Sequence, residues 1–322
     1  MEEVKEEMSK VIQISVLGKI SGNVNADEVI GTRVTLKKMY SSGGEVLPFV
    51  SARALKYAIR QALKDRGFEI DPFYVDPRAT EALRLRDSGR PDKYVDNDLF
   101  GYMSTVGRGE SALRRQAPIA LSYFKAVKDT PIKAEFGARF ARPWGEEENP
   151  VPFEVEVAEF VGKVNCIIYD YIGDFRQDRK TAENVGGEEA RRFLDEVPQM
   201  LSKEERKERL RAFLEIFLTP SYVLPRRTNS LNMPEYIASL VALSERGPLP
   251  VFQYLNYDFE RMKVKVDDLE KMVNRGELKN ARFFLIDYLD QVEKLPEEVR
   301  RCGVMDVVEE SLRFMGYEGA DS

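Results

Sequence analysis

From Val50 to Lys64 the chain carries no Asp or Glu, and its lysines and arginines fall in one stripe. Arg53, Lys56, Arg60 and Lys64 recur at i, i+3, i+7 and i+11, the spacing of one face of an α-helix. Leu55, Ala58, Ile59, Ala62 and Leu63 occupy the other side, with Ser51 placed to N-cap the helix and Gly67 to end it. Such a helix packs its apolar side inward and points four long cations outward. A phosphate backbone, with its regularly spaced charges, complements that stripe. The plainer reading of a charged stripe is a solvated face, but solvated helices mix signs so that Glu pairs with Lys or Arg. From Arg33 to Arg66 there are eight Lys+Arg against two Asp+Glu, a local net of +6, in a chain whose net charge is −6. A basic island of that strength points to anion binding.

Composition limits the chemistry. At 322 residues the chain can bury a full core, as one elaborated domain or two. It has no histidine, which excludes His-based triads, His general bases and imidazole metal sites. Cys166 and Cys302 lie far apart and form no metal or redox motif. No metal site and no cofactor is expected. No apolar run approaches the roughly 20 residues that span a bilayer, and the acidic start Met1-Glu2-Glu3-Val4-Lys5-Glu6-Glu7 has no signal-peptide core. The expectation is a cytoplasmic protein with no membrane partner. A charged fraction of 32% and few Gln point toward a thermophile.

Ile12-Gln13-Ile14-Ser15-Val16 alternates as a strand, a polar loop follows at 21–28, and 33–40 reads as a second strand or extended arm. Ser41-Ser42-Gly43-Gly44 is a turn into the basic helix. A strand, a long arm and a helix packed back is how a ferredoxin-like βαββαβ unit begins, within an α+β fold. A second helix is expected over 76–90, between Pro77 and Gly89. The stretch 117–128 is apolar and β-prone, whereas 129–152, rich in Pro and Gly, reads as an extended excursion. Two hairpins are expected: 153–172 turning at Val161-Gly162-Lys163, and 236–255 turning at Arg246-Gly247-Pro248. Ser202-Lys203-Glu204-Glu205 is a capping box opening a helix whose apolar face is Leu210, Phe213, Leu214 and Phe217. The last third reads as helical and acidic, with ten acids against four bases from Asp287 to Ser322.

Residues 108–142 hold eight bases and three acids, Arg108 and Arg114 among the bases, interleaved with Tyr123, Phe124, Phe136 and Phe140. Cations for phosphate and rings for exposed bases suit single-stranded nucleic acid. A core strand with charged outer positions fits that segment equally well. Arg226 and Arg227 are either a further phosphate contact or a solvated turn. The acid pairs Asp27/Glu28, Asp96/Asp98 and Asp170/Asp174 are of a kind that usually forms turns or caps helices. No Walker or dinucleotide motif occurs.

The order of these features resembles a family. A first strand, a loop with Asn25, an arm with Lys37 and Lys38, and Gly43-Gly44 lead into Phe49-Val50-Ser51-Ala52-Arg53-Ala54-Leu55-Lys56-Tyr57-Ala58-Ile59-Arg60. Asp98-Leu99-Phe100-Gly101-Tyr102-Met103 and Ala117-Pro118-Ile119-Ala120-Leu121-Ser122 follow. The pattern is similar to the DevR-type backbone subunit of type I CRISPR surveillance complexes (Cascade), in the RAMP superfamily. The resemblance implies a modified ferredoxin-like, RRM-like palm over 10–260. A helical finger would be inserted at about 68–112 and a thumb hairpin at about 125–152. An acidic helical region, 261–322, would pack on the palm. It implies a non-catalytic scaffold that polymerises head to tail along CRISPR RNA. Other Cascade subunits, and target nucleic acid met through guide pairing, would be its further partners. By resemblance, Ser51, Arg53, Lys56 and Arg60 contact the RNA backbone, and Met103 falls where relatives set an apolar side chain against the bases. Asn25, Lys37, Lys38, Lys64, Arg108, Arg114, Arg226 and Arg227 complete the expected RNA-binding set. Tyr57 stands where some relatives have another cation. Two alternatives remain: a type III-like subunit cleaving target RNA with loop residue Asp27, and a DNA-binding regulator.

Overall fold

Four strand regions and two helices build a βαββαβ unit: Val11–Gly22, helix Ala52–Asp65, the short strands Ile119–Leu121 and Phe124–Ala126, Val151–Tyr169, helix Lys203–Leu218, and Glu235–Ser244. The computed structural model describes residues 9–24, 26–72, 74–75, 85–105, 112–140, 150–225, 231–292 and 294–317. These strands lie in the order fourth, first, third, second, with antiparallel pairing throughout. That is the ferredoxin-like arrangement, and the fold is α+β.

Strand alternation sets the layers. Ile12, Ile14, Val16 and Ile20 join Val164, Cys166 and Ile168 on the face that both helices cover. The basic helix contributes Leu55, Ile59 and Leu63, all fully buried, each worth roughly 1.5–3 kcal/mol of burial. The helix Lys203–Leu218 begins with the expected capping box, Ser202 and Glu205 bonding each other's backbone N–H. The opposite face is closed too. Leu17, Val161, Ile237 and Leu240 pack under a cover that includes Val251, Leu255, Leu269, Met272 and Leu278. Gln13 is therefore buried, and its amide bonds both backbone groups of Leu249, at 2.9 and 2.6 Å.

Three secondary-structure expectations are corrected. Val151–Tyr169 is one continuous strand, with no turn at Gly162. Gly162 pairs with Gly18 across the sheet, and a Cβ on either would meet the Phe124 ring, at 2.9 and 3.1 Å. That glycine makes room for a ring and does not reverse the chain. The hairpin about Arg246-Gly247-Pro248 is absent as well. Glu235–Ser244 already has Val11–Gly22 on one side and Arg282–Asp287 on the other, so no edge remains for 251–255. In the described part of 76–90 the chain is not helical: Leu85–Arg86 pairs with Tyr74–Val75 as strands. Residues 76–84 lie outside the described set.

The acidic last third is not only helical. Arg282–Asp287 and Val299–Arg301 extend the main sheet. The helix Val304–Phe314 packs beside Lys203–Leu218, where Arg211 bonds Glu309. Away from the core, the first half of the long strand pairs with Lys133–Arg139 on one side and Arg33–Leu36 on the other. Phe136 and Val151 are exposed on this projection. Among the described residues, no helix is long and apolar enough to cross a membrane.

Candidate nucleic-acid interface

The basic helix runs Ala52–Asp65, and Ser51 caps it by accepting the Ala54 N–H at 3.3 Å. No acid lies in its first turn, so nothing offsets the positive end of the helix dipole there. Its four cations divide into two kinds. Arg53 and Lys64, at the two ends, are exposed. Lys56 and Arg60, in the middle, lean onto the Phe100 ring, at 5.4 and 5.2 Å from its centroid. Burial, then repulsion from Arg60, holds the Lys56 ammonium below the ordinary lysine range. Tyr57 is half exposed beside them.

Arg60 has a partner that its own helix does not supply. Its Nε donates to Asp96 Oδ2 at 2.9 Å, and the other Asp96 oxygen accepts the Asp71 N–H at 3.0 Å. Burial raises the Asp96 carboxyl above its usual value, although the Asp71 N–H and Arg60 pull it down. Asp87 also sits above the usual range, again chiefly through burial; it accepts the Met103 N–H at 3.0 Å. Met103 is therefore held beside the same cluster, with its side chain 63% exposed. Across the hairpin of Tyr102–Thr105 and Ala112–Arg115, Met103 pairs with Arg114, whose side chain is exposed as well.

The hairpin that presents Met103 and Arg114 is fastened by buried charge. Asp98 is fully buried and accepts from Arg115 at 2.7 Å, Arg209 at 2.8 Å and the Gly173 N–H at 3.0 Å. Arg115 also bonds Asp178 at 2.5 Å. Asp98 thus ties the helix Val95–Phe100 to the hairpin, to the palm helix Lys203–Leu218 and to the turn at Gly173.

The structure brings Lys56 and Arg60 together on Phe100 and ties the Met103 backbone to Asp87, whose carboxyl feels the Arg60 charge, with Arg53 and Lys64 at the helix ends and Arg114 on the hairpin. Lys37 and Lys38 enter from the arm, where the Lys37 carbonyl accepts the Phe49 N–H two residues before Ser51. Both are engaged: Lys38 lies 3.0 Å from Glu156, and Lys37 3.7 Å from Asp27. Asn25, Arg108, Arg226 and Arg227 lie outside the described residues. Asp96 and Asp98 bond groups distant in sequence and do not serve as ordinary turn formers or caps. Asp87 and Phe100 had no signal by spacing. Both act through contacts with residues far off in sequence.

Residues 88–264 match the model of a family described as CRISPR-associated negative auto-regulator DevR/Csa2. The matched segment includes Phe100, Met103 and Arg114 and begins after the basic helix. No curated protein sequence matches. A solved structure titled "CRISPR RNA-guided surveillance complex" is similar to the chain with a TM-score of 0.57 at 13% identity, covering 94% of this chain and 99% of that one. Another, titled "CRISPR RNA-guided surveillance complex, pre-nicking", has a TM-score of 0.56 at 12% identity, covering 94% and 100%. At these identities the likeness is one of fold.

Proposed function

The chain belongs to the CRISPR-associated DevR/Csa2 family, and from that premise we propose that it is a non-catalytic backbone subunit of a type I surveillance complex. In this reading it polymerises head to tail along CRISPR guide RNA and holds the phosphate backbone without reading sequence. The observation that carries it is the basic helix: four cations on one face, no acid among them, Arg60 tied to Asp96 from outside the helix, and Arg53, Lys56 and Lys64 left to meet a ligand. Spacers vary in sequence, so a guide carrier must grip phosphate and leave base edges free for pairing. Repeated copies need a heterologous interface that does not close, which generates a filament.

A salt series tests the reading. Guide-RNA affinity should fall steeply with salt, and each lost phosphate contact should flatten the log–log slope by about 0.7. Arg53→Ala, Lys56→Ala and Lys64→Ala together should flatten it by up to about 2. An unchanged slope and affinity in the triple variant would refute the assignment. Magnesium-dependent target cleavage by the assembled complex, lost in Asp27→Ala, would refute the non-catalytic part. The family's description as a negative auto-regulator gives a ground for the second reading, a regulator, which in our proposal would act by binding DNA. Tighter binding to duplex DNA than to single-stranded RNA would select it.

A further inference from the structure

RRM-like sheets stack bases on aromatic side chains of the face opposite their helices. Here that surface is closed over the central strands. Ser15 and Asn165 bond each other across it at 2.7 Å. Lys163 turns its ammonium onto the carbonyls of Phe252 and Leu255, at 2.8 and 2.9 Å. On the outer strands of the same face the situation differs. Phe49 and Tyr123 stack with centroids 5.0 Å apart and an interplanar angle of 20°. Tyr123 is 49% exposed, and its hydroxyl makes no hydrogen bond among the described residues. Phe124 pairs with Val50 and Lys125 with Phe49 in the ladder, so one register step beyond the Phe124–Val50 pair sets Tyr123 beside Ser51, the cap of the basic helix. Lys125 is exposed, and so is Lys128, whose ammonium lies over the Phe259 ring at 5.0 Å.

We infer that the Phe49–Tyr123 pair is a stacking platform for one unpaired base of the bound RNA, with Lys125 at the adjoining phosphate. The inference rests on the RNA-binding reading above and adds a ring to the cations that reading names. The exposed face of Tyr123 takes the base, and Phe49 fixes the Tyr123 ring from behind. Exposed Lys125 beside the pair matches a polyanion better than an apolar protein surface. Stacking of this kind tolerates any base, as a carrier of variable guides requires.

Binding of short single-stranded RNA, intact or with abasic sites, tests the platform. Tyr123→Ala should weaken binding of intact RNA by about 5- to 150-fold, while Tyr123→Trp should retain it. RNA with an abasic nucleotide at the platform should bind wild type and Tyr123→Ala equally. RNA carrying 4-thiouridine should crosslink to the Tyr123 peptide in the wild-type protein, a readout that stands even if the alanine variant fails to fold. If Tyr123→Ala binds intact RNA as wild type does, with the salt slope intact, the platform is overturned and the helix site stands. If that variant keeps RNA affinity but loses self-association, the pair is a contact between copies and the inference is likewise overturned. A wild-type protein that binds no RNA overturns both readings.

Discussion

Arg60→Ala separates the structural cations of the basic helix from those free to meet a ligand. Arg60 pairs with Asp96, whose side chain is 1% exposed, while the Arg60 side chain is 21% exposed. Removing the guanidinium strands a buried carboxylate that, among the described residues, keeps the Asp71 N–H. Breaking a buried pair costs about 3–5 kcal/mol, and partial exposure of Arg60 places this case near the lower end, about 3 kcal/mol. At about 2.1 cal/mol/K per residue over 322 residues, 3 kcal/mol lowers Tm by about 4 °C. The pH dependence carries a sign. Arg60 lowers the Asp96 pKa, which burial already holds above the usual value, so its removal raises that pKa further. The folded variant then takes up a proton more readily than the unfolded chain, and the deficit shrinks as pH falls. Thermal unfolding of the wild type, Arg60→Ala, Asp96→Asn and the double variant across pH measures the coupling. The double variant should recover most of the loss. An Arg60→Ala protein with wild-type Tm at pH 7, or a deficit that grows on acidification, would refute the reasoning.

Asp98→Asn should cost more stability than Asp178→Asn in urea unfolding, because Asp98 holds two guanidinium groups and the Gly173 N–H whereas Asp178, among the described residues, holds one guanidinium, that of Arg115, and a local backbone N–H. Burial pushes the Asp178 carboxyl up to about 6 against the pull of Arg115. A raised folded pKa means that its contribution to stability falls as pH rises from about 4 to 6, so Asp178→Asn should gain on wild type over that window. Gly162→Ala should lose about 1–3 kcal/mol through overpacking on the Phe124 ring, and Phe124→Leu in the same chain should relieve part of it; equal losses in both proteins would contradict that account. Met103→Ala should leave Tm unchanged, since the side chain is exposed, while weakening RNA binding in a filter or anisotropy assay.

Much of the helix could be read locally. Its stripe, the Ser51 cap and the buried set Leu55, Ile59 and Leu63 depend on residues within four positions of one another, and so does the capping box at Ser202. The first strand was legible by alternation, but its second buried face was not, because Gln13 is covered by a segment more than 200 residues away. Gly162 reads as a turn until Phe124 is placed against it. The site divides along the same line. Periodicity determined that four cations share a face. Only the tertiary structure decided that Arg60 is bound to Asp96 and that Lys56 rests on Phe100, while Arg53 and Lys64 are exposed. The physical reason is range: helical period and caps are settled within a turn or two of chain. The partner of a charge is chosen by whichever distant segment the folded core carries to it.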